Sequence, residues 1–230
     1  MTEFKCETRN QGEDGITLFD LAFSHYLYKV KTGNDDPSDE LMQSVKKNGL
    51  ENKNIHLLLT WLNNWGCRHI SKESHNAFSK EIETWWQDNI NVFRKTNGEN
   101  DSSVVKAFNS LASIPVPEKG RTIHFGPVAT AKTFFIIDPE KFVPWDTKIR
   151  EKYQLDESGS DYCKFLNIAT GMIKEVKRQC NEKNRDWDSL KGSIFSGYIS
   201  NYKLIDEYLW ITITNNIEIS KEEVLEICKL

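Results

Sequence analysis

The stretch that decides the fold runs from Arg121 to Arg150, RTIHFGPVATAKTFFIIDPEKFVPWDTKIR. Gly126-Pro127 marks a turn and the start of a helix, because proline pre-sets a helical φ and its missing N–H is not needed at the first helical position. Ala129, Thr130 and Ala131 are small residues suited to close helix packing. Residues 134–137, Phe-Phe-Ile-Ile, form a continuous apolar run that reads as buried. Asp138-Pro139 makes a turn. Phe142-Val143-Pro144 then leads into Trp145-Asp146-Thr147, where a second helix opens on an aspartate, a strong N-cap residue. Lys148 and Arg150 follow on that helix, and the hairpin with its second helix is expected over about 126–153.

Outward from this stretch the chain reads as helix almost throughout. Residues 16–31 carry Phe19, Phe23, Tyr26 and Val30 on one helical stripe. Asp36-Pro37 starts the next helix, with proline at its first position. Residues 53–66 and 74–94 repeat the amphipathic pattern, with Trp61 and Trp65 one turn apart on the first of them. A short helix is expected at about 102–113, and the prolines and glycine of SIPVPEKG mark a loop after it. Residues 160–178 give the cleanest apolar spacing, through Tyr162, Phe165, Leu166, Ala169, Met172, Ile173 and Val176. Further helices are expected at 187–199 and 202–212, and Ser220 with Glu223 forms a capping box for a last one. The β-branched run YLWITIT, residues 208–214, suits a strand, but with no partner strand in view it is read as helix. The expected fold is all-α.

The chain has 230 residues, 38% hydrophobic and 28% charged, which is ordinary for a globular protein. It holds no run of apolar residues long enough for a membrane span. The polar start MTEFKCETRNQGEDG lacks the apolar centre of a signal peptide, so a cytoplasmic location is expected. A net charge of −4 runs against the basic balance of a dedicated nucleic-acid binder, so any nucleic-acid contact must rest on a local patch. Lys119, Arg121, Lys132, Lys148, Arg150 and Lys152 flank the quoted stretch and form such a patch; ordinary surface charge is the other reading. The five cysteines are scattered and odd in number, with no C-x-x-C pair, which points to reduced thiols rather than a disulfide framework. Cys67, His69 and His75 lack a fourth ligand at metal-binding spacing, so neither metal nor other cofactor is expected.

The stretch Thr122-Ile123-His124-Phe125-Gly126, followed by Ala129-Thr130-Ala131 and by Asp146 twenty residues beyond Gly126, resembles the helix-hairpin-helix DNA glycosylases. The resemblance covers about 30 of 230 residues. The family typically reads Leu-Pro-Gly-x-Gly at the hairpin. Here Gly126 holds the place of the second glycine and His124 that of the first, a departure that bears on phosphate binding. The alternative is that Gly126-Pro127 only caps one helix and begins another. The resemblance implies two helical lobes with a cleft between them, in one unit over 1–230. Residues 1–100 would supply N-terminal helices, 101–155 the hairpin and aspartate helix, and 156–230 the helices that complete the second lobe.

It further implies that Asp146 is the catalytic carboxylate and that Gly126, Val128, Lys132, Lys148 and Arg150 meet DNA. A carboxylate beside the anomeric carbon stabilises the positive charge that builds on the sugar, or orients a water to attack it. The base must first leave the stack and enter an aromatic pocket, for which Trp61, Trp65 and Trp145 are the candidates. Each of these tryptophans also suits plain core packing, and Asp146 also suits a plain helix cap. Bifunctional members carry a lysine nucleophile two residues after the second hairpin glycine; Val128 stands there, which implies a monofunctional enzyme. Lys132, one turn further on, reaches the site, binds a phosphate or sits in solvent. The expected partner is double-stranded DNA carrying a modified base, bound by a monomer. Loss of catalysis with DNA binding retained, and a helical interaction protein, are the other readings.

Overall fold

The computed structural model describes residues 15–33, 38–67, 74–95, 102–118, 121–195 and 199–219. Ten α-helices account for most of them: α1 Leu18–Thr32, α2 Ser38–Asn48, α3 Asn52–Asn64, α4 His75–Lys95, α5 Ser102–Ala112, α6 Pro127–Ile137, α7 Thr147–Lys152, α8 Gly159–Glu182, α9 Trp187–Ile194 and α10 Asn201–Leu209. A π-helical turn, Trp210–Thr214, continues α10. The β-branched run at 208–214 is therefore helical. No helix among these residues is long and apolar enough to cross a membrane. Pro37, Ser220 and Glu223 lie outside the described residues.

Caps explain several of the helix starts. Thr17 and Asp20 form a reciprocal capping box on α1. Ser158, Asp186 and Ser200 accept backbone N–H bonds at the starts of α8, α9 and α10. The core is aromatic at its centre. Phe134 of α6 packs edge-on against Phe93, Phe108, Phe142 and Tyr162. Trp145 stands edge-on to Phe108 and Tyr162. These rings tie α4, α5, α6 and α8 to the segment before α7.

Two expectations are corrected. Residues 115–118 of SIPVPEKG are no irregular loop: strand β1, Pro115–Glu118, pairs antiparallel with β2, Arg121–His124. Pro115 and Pro117 are two residues apart, so both turn their missing N–H to the unpaired edge of the ribbon, where proline costs no ladder bond. Ile114 continues the pairing by accepting from Phe125 N at 2.9 Å. The second correction concerns α1. Phe19, Tyr26 and Val30 are 42%, 46% and 61% exposed, and of the expected stripe only Phe23 is buried. The core side is instead Leu21, Phe23, Ser24, His25 and Tyr28. Two of these are polar, and His25 is accommodated because its Nδ1 lies 2.7 Å from Glu207 Oε2 of α10.

Candidate functional site

Asp146 sits at the N-cap of α7 in extended backbone, where its Oδ1 accepts from Ile149 N at 2.8 Å. The cap reading is thus met. The second oxygen, Oδ2, accepts from the Thr214 hydroxyl at the end of the π-helical turn. Lys148 Nζ donates to the Thr214 carbonyl at 2.9 Å, so the start of α7 is tied to that turn at two points. Each carboxylate oxygen has a further lone pair beyond these bonds.

The carboxylate lines a cavity of about 470 Å³. Trp61, Trp65, Val128, Lys132, Trp145 and Lys148 line it too, so seven of the sequence-derived site residues, Asp146 included, come from distant chain positions to one place. The ring of Trp145 is 1% exposed and faces the aromatic core, and its Nε1 donates to Pro127 O at 3.1 Å. Trp61 and Trp65 have ring centroids 5.6 Å apart, tilted by 31°. The Trp61 indole N–H is buried without a hydrogen-bond partner among the described residues.

Lys132 is not in solvent. Its ammonium donates to the Trp65 carbonyl at the C-terminal end of α3, where the orphan carbonyls of a helix attract a cation. Beside it, burial pushes the Cys67 thiol up, partly offset by the Lys132 charge.

Gly126 and Arg150 do not line the cavity. Gly126 has φ +83°, a conformation that favours glycine, and its N–H donates to Ala112 O at 2.9 Å. That amide is therefore taken. Pro127 at the first position of α6 has no N–H, so the donors that a helix start leaves without an intrahelical partner begin at Val128. Arg150 turns inward: it is 9% exposed, its Nη2 is 2.9 Å from Glu157 Oε1, and its guanidinium lies 6.0 Å from the Trp145 ring centroid. It offers nothing to a phosphate in this conformation. Lys119 lies outside the described residues, while Lys148 and Lys152 are exposed.

Four further lining residues come from α10 and its π-helical turn. Lys203, Asp206, Trp210 and Thr214 all reach the cavity. The last three are spaced four apart, and the wider π-helical turn keeps that spacing close to one face. Asp206 Oδ2 is 3.2 Å from Lys203 Nζ. Burial of Asp206 pushes its carboxyl up to about 6, against the pull of Lys203. The sequence reading missed these residues. The only signal was the i, i+3 pairing of Lys203 with Asp206 on a helix placed at 202–212, which is equally the mark of a solvated face.

Among the described residues no three His, Cys, Asp or Glu side chains group as a metal site, and His69 lies outside them. Cys67, Cys163 and Cys180 are buried free thiols. Comparison with family models, curated proteins and solved structures returns no match to this chain.

Proposed function

We propose that the protein is a monofunctional DNA glycosylase of helix-hairpin-helix type, which takes a modified base out of duplex DNA and hydrolyses its N-glycosidic bond with Asp146. The observation that carries this reading is the position of the Asp146 carboxylate on the wall of an aromatic cavity, twenty residues beyond Gly126. The cavity is of a size that suits a single flipped base. Trp61, tilted against Trp65, offers a ring face on which such a base stacks. Thr214 is the positioning residue that holds the carboxylate. Lys148, exposed at the rim, and the amides at the start of α6 are the phosphate contacts.

The chemistry is that of a single carboxylate. As the bond from C1′ to the base stretches, Asp146 stabilises the positive charge on the sugar or takes a proton from the attacking water. Val128 has no amine with which to attack the sugar. Lys132 Nζ donates to the Trp65 carbonyl, a bond that turns it away from the sugar a Schiff base would need.

A second reading, DNA binding without excision, is favoured by one observation: both Asp146 oxygens already hold structural bonds, from Ile149 N and the Thr214 hydroxyl. One assay separates the two. Duplexes carrying an alkylated purine, an oxidised purine, a deaminated base or a bulky modified cytosine are incubated with the protein and treated with alkali to reveal abasic sites. The expected outcome is strand breakage at one lesion class only after alkali, with no borohydride-trapped protein–DNA adduct. Asp146→Asn, which keeps the cap, should lower excision at least about a hundredfold and leave binding intact. Binding with no release of any base favours the second reading, and equal activity of Asp146→Asn removes Asp146 from the chemistry.

A further inference from the structure

The cavity wall already holds a cation of the protein's own. Lys203 Nζ lies 4.3 Å from the Tyr28 ring centroid, 5.3 Å from that of Trp65 and 5.9 Å from that of Phe135. It also donates to the Tyr28 hydroxyl at 3.1 Å, and its side chain is 12% exposed. These are distances at which a ring face attracts an ammonium, and a face so engaged has little attraction left for a second cation. Lys132 brings another ammonium to the same lining. A ligand with a fixed positive charge would meet three like charges, Lys148 the third, against the Asp146 carboxylate, and Trp65 and Phe135 faces that are already engaged. An uncharged ring meets no such opposition and finds Trp61 and Trp210 beside it.

An uncharged base is a poor leaving group, because the electron pair of the broken bond leaves it as an anion unless a proton arrives. Asp206 is placed to supply one. It lines the cavity from α10, one helical turn from Lys203, with its side chain 15% exposed. Lys203 on its own helix and Lys132 on α6 favour its charged form, while Glu207 next in the chain disfavours it. Glu207 is itself paired with His25 of α1. Burial outweighs the lysines and holds the group protonated up to about pH 6.

We infer that the cavity selects an uncharged heteroaromatic base over a cationic one, and that Asp206 is the acid that protonates the base as it leaves. The leaving step rests on the glycosylase reading; the charge selection does not. In that step the C1′–N bond breaks and its electron pair passes to the base. The Asp206 proton moves to a ring nitrogen or exocyclic oxygen of the base. Water adds at C1′ and yields its proton to Asp146. The Asp206 carboxylate left behind is stabilised by Lys203 and regains a proton from solvent.

Two arms test this. In the first, tryptophan fluorescence follows titration with 2′-deoxyinosine, which is uncharged, and 1-methyl-2′-deoxyadenosine, a cation of nearly equal size at neutral pH. The uncharged nucleoside should bind about tenfold more tightly, and Lys203→Met, with its helical content checked by circular dichroism, should erase the difference by freeing the ring faces. Equal or tighter binding of the cation by the wild type, or binding of neither, overturns the charge selection. In the second arm, on the excised lesion, Asp206→Asn should slow release about a hundredfold. It should also abolish the fall in wild-type rate as pH rises through about 6, and Asp206→Glu should restore part of that limb. An unchanged rate and pH profile overturn the role of Asp206. A wild type that excises nothing overturns the glycosylase reading and the leaving step with it, while the first arm still decides the charge selection.

Discussion

Asp206 and Asp146 are both carboxylates of one cavity, and their surroundings set them apart. Asp146 accepts a backbone N–H and a hydroxyl at a helix start, whereas Asp206 is buried beside Glu207 with Lys203 for a partner. The raised Asp206 carboxyl, about 6 against 3.8 for a free aspartate, has a consequence for stability. The folded state binds the proton more tightly than the unfolded chain, so folding stability falls as pH rises from about 4 to about 6 and is level above that. The loss amounts to at most about 3 kcal/mol from this one group. Chemical unfolding of wild type and Asp206→Asn at pH 4 and pH 7.5 should therefore give a stability difference that changes between the two conditions, with the variant gaining at the higher pH. A difference independent of pH would mean that the Asp206 carboxyl is not raised. The contrast between the two residues also explains what was legible. Asp146 was readable because a cap followed by a short helix is a local pattern. Asp206 was not, since its perturbation comes from burial by elements far away in sequence, and on a helix read alone it looks like a solvated partner for Lys203.

Among the elements, the same division holds. Helices with strong apolar periodicity or good caps were readable to within a few residues, α8 above all. The β1–β2 ribbon was not, because Pro115 and Pro117 are loop signals unless the unpaired edge of the strand is known. α1 misled for the reverse reason: its buried face includes Ser24 and His25, and only the Glu207 carboxylate on α10 makes a histidine acceptable there. The contact between α5 and α8 shows how tightly the helical frame is specified. Gly159, first residue of α8, donates its N–H to Asn109 Oδ1 at 2.7 Å. A β-carbon placed on it would lie 2.5 Å from the Val105 carbonyl oxygen. That atom is helix backbone and cannot swing aside. Gly159→Ala should cost about 1–3 kcal/mol and lower the melting temperature by several degrees, even though alanine is the better helix former. A melting temperature at or above that of the wild type would mean that the two helices part without cost.

At the scale of the whole molecule, charge decides how the proposed activity is used. A net charge of −4 repels a polyanion at long range, so binding to DNA must come from cations concentrated near the cavity mouth. The structure thins the set that the sequence offered. Arg150 is buried against Glu157, and Lys132 is turned inward. Among its described members, Lys148 and Lys152 of α7 remain exposed. Few phosphates are neutralised by so small a set, so the dependence of affinity on salt should be real but shallow, each phosphate adding about 0.9 to the slope of log K against log salt. Lys148→Glu should weaken binding to lesion-bearing and unmodified duplexes alike and lower that slope by about one. Arg150→Ala should leave the slope unchanged, because its guanidinium is engaged by a carboxylate and a tryptophan ring. Fluorescence anisotropy of a labelled duplex across a salt series measures both. A slope unmoved by Lys148→Glu but reduced by Arg150→Ala would mean that Arg150 leaves Glu157 to meet the backbone, and that the rim of the cavity rearranges when DNA arrives.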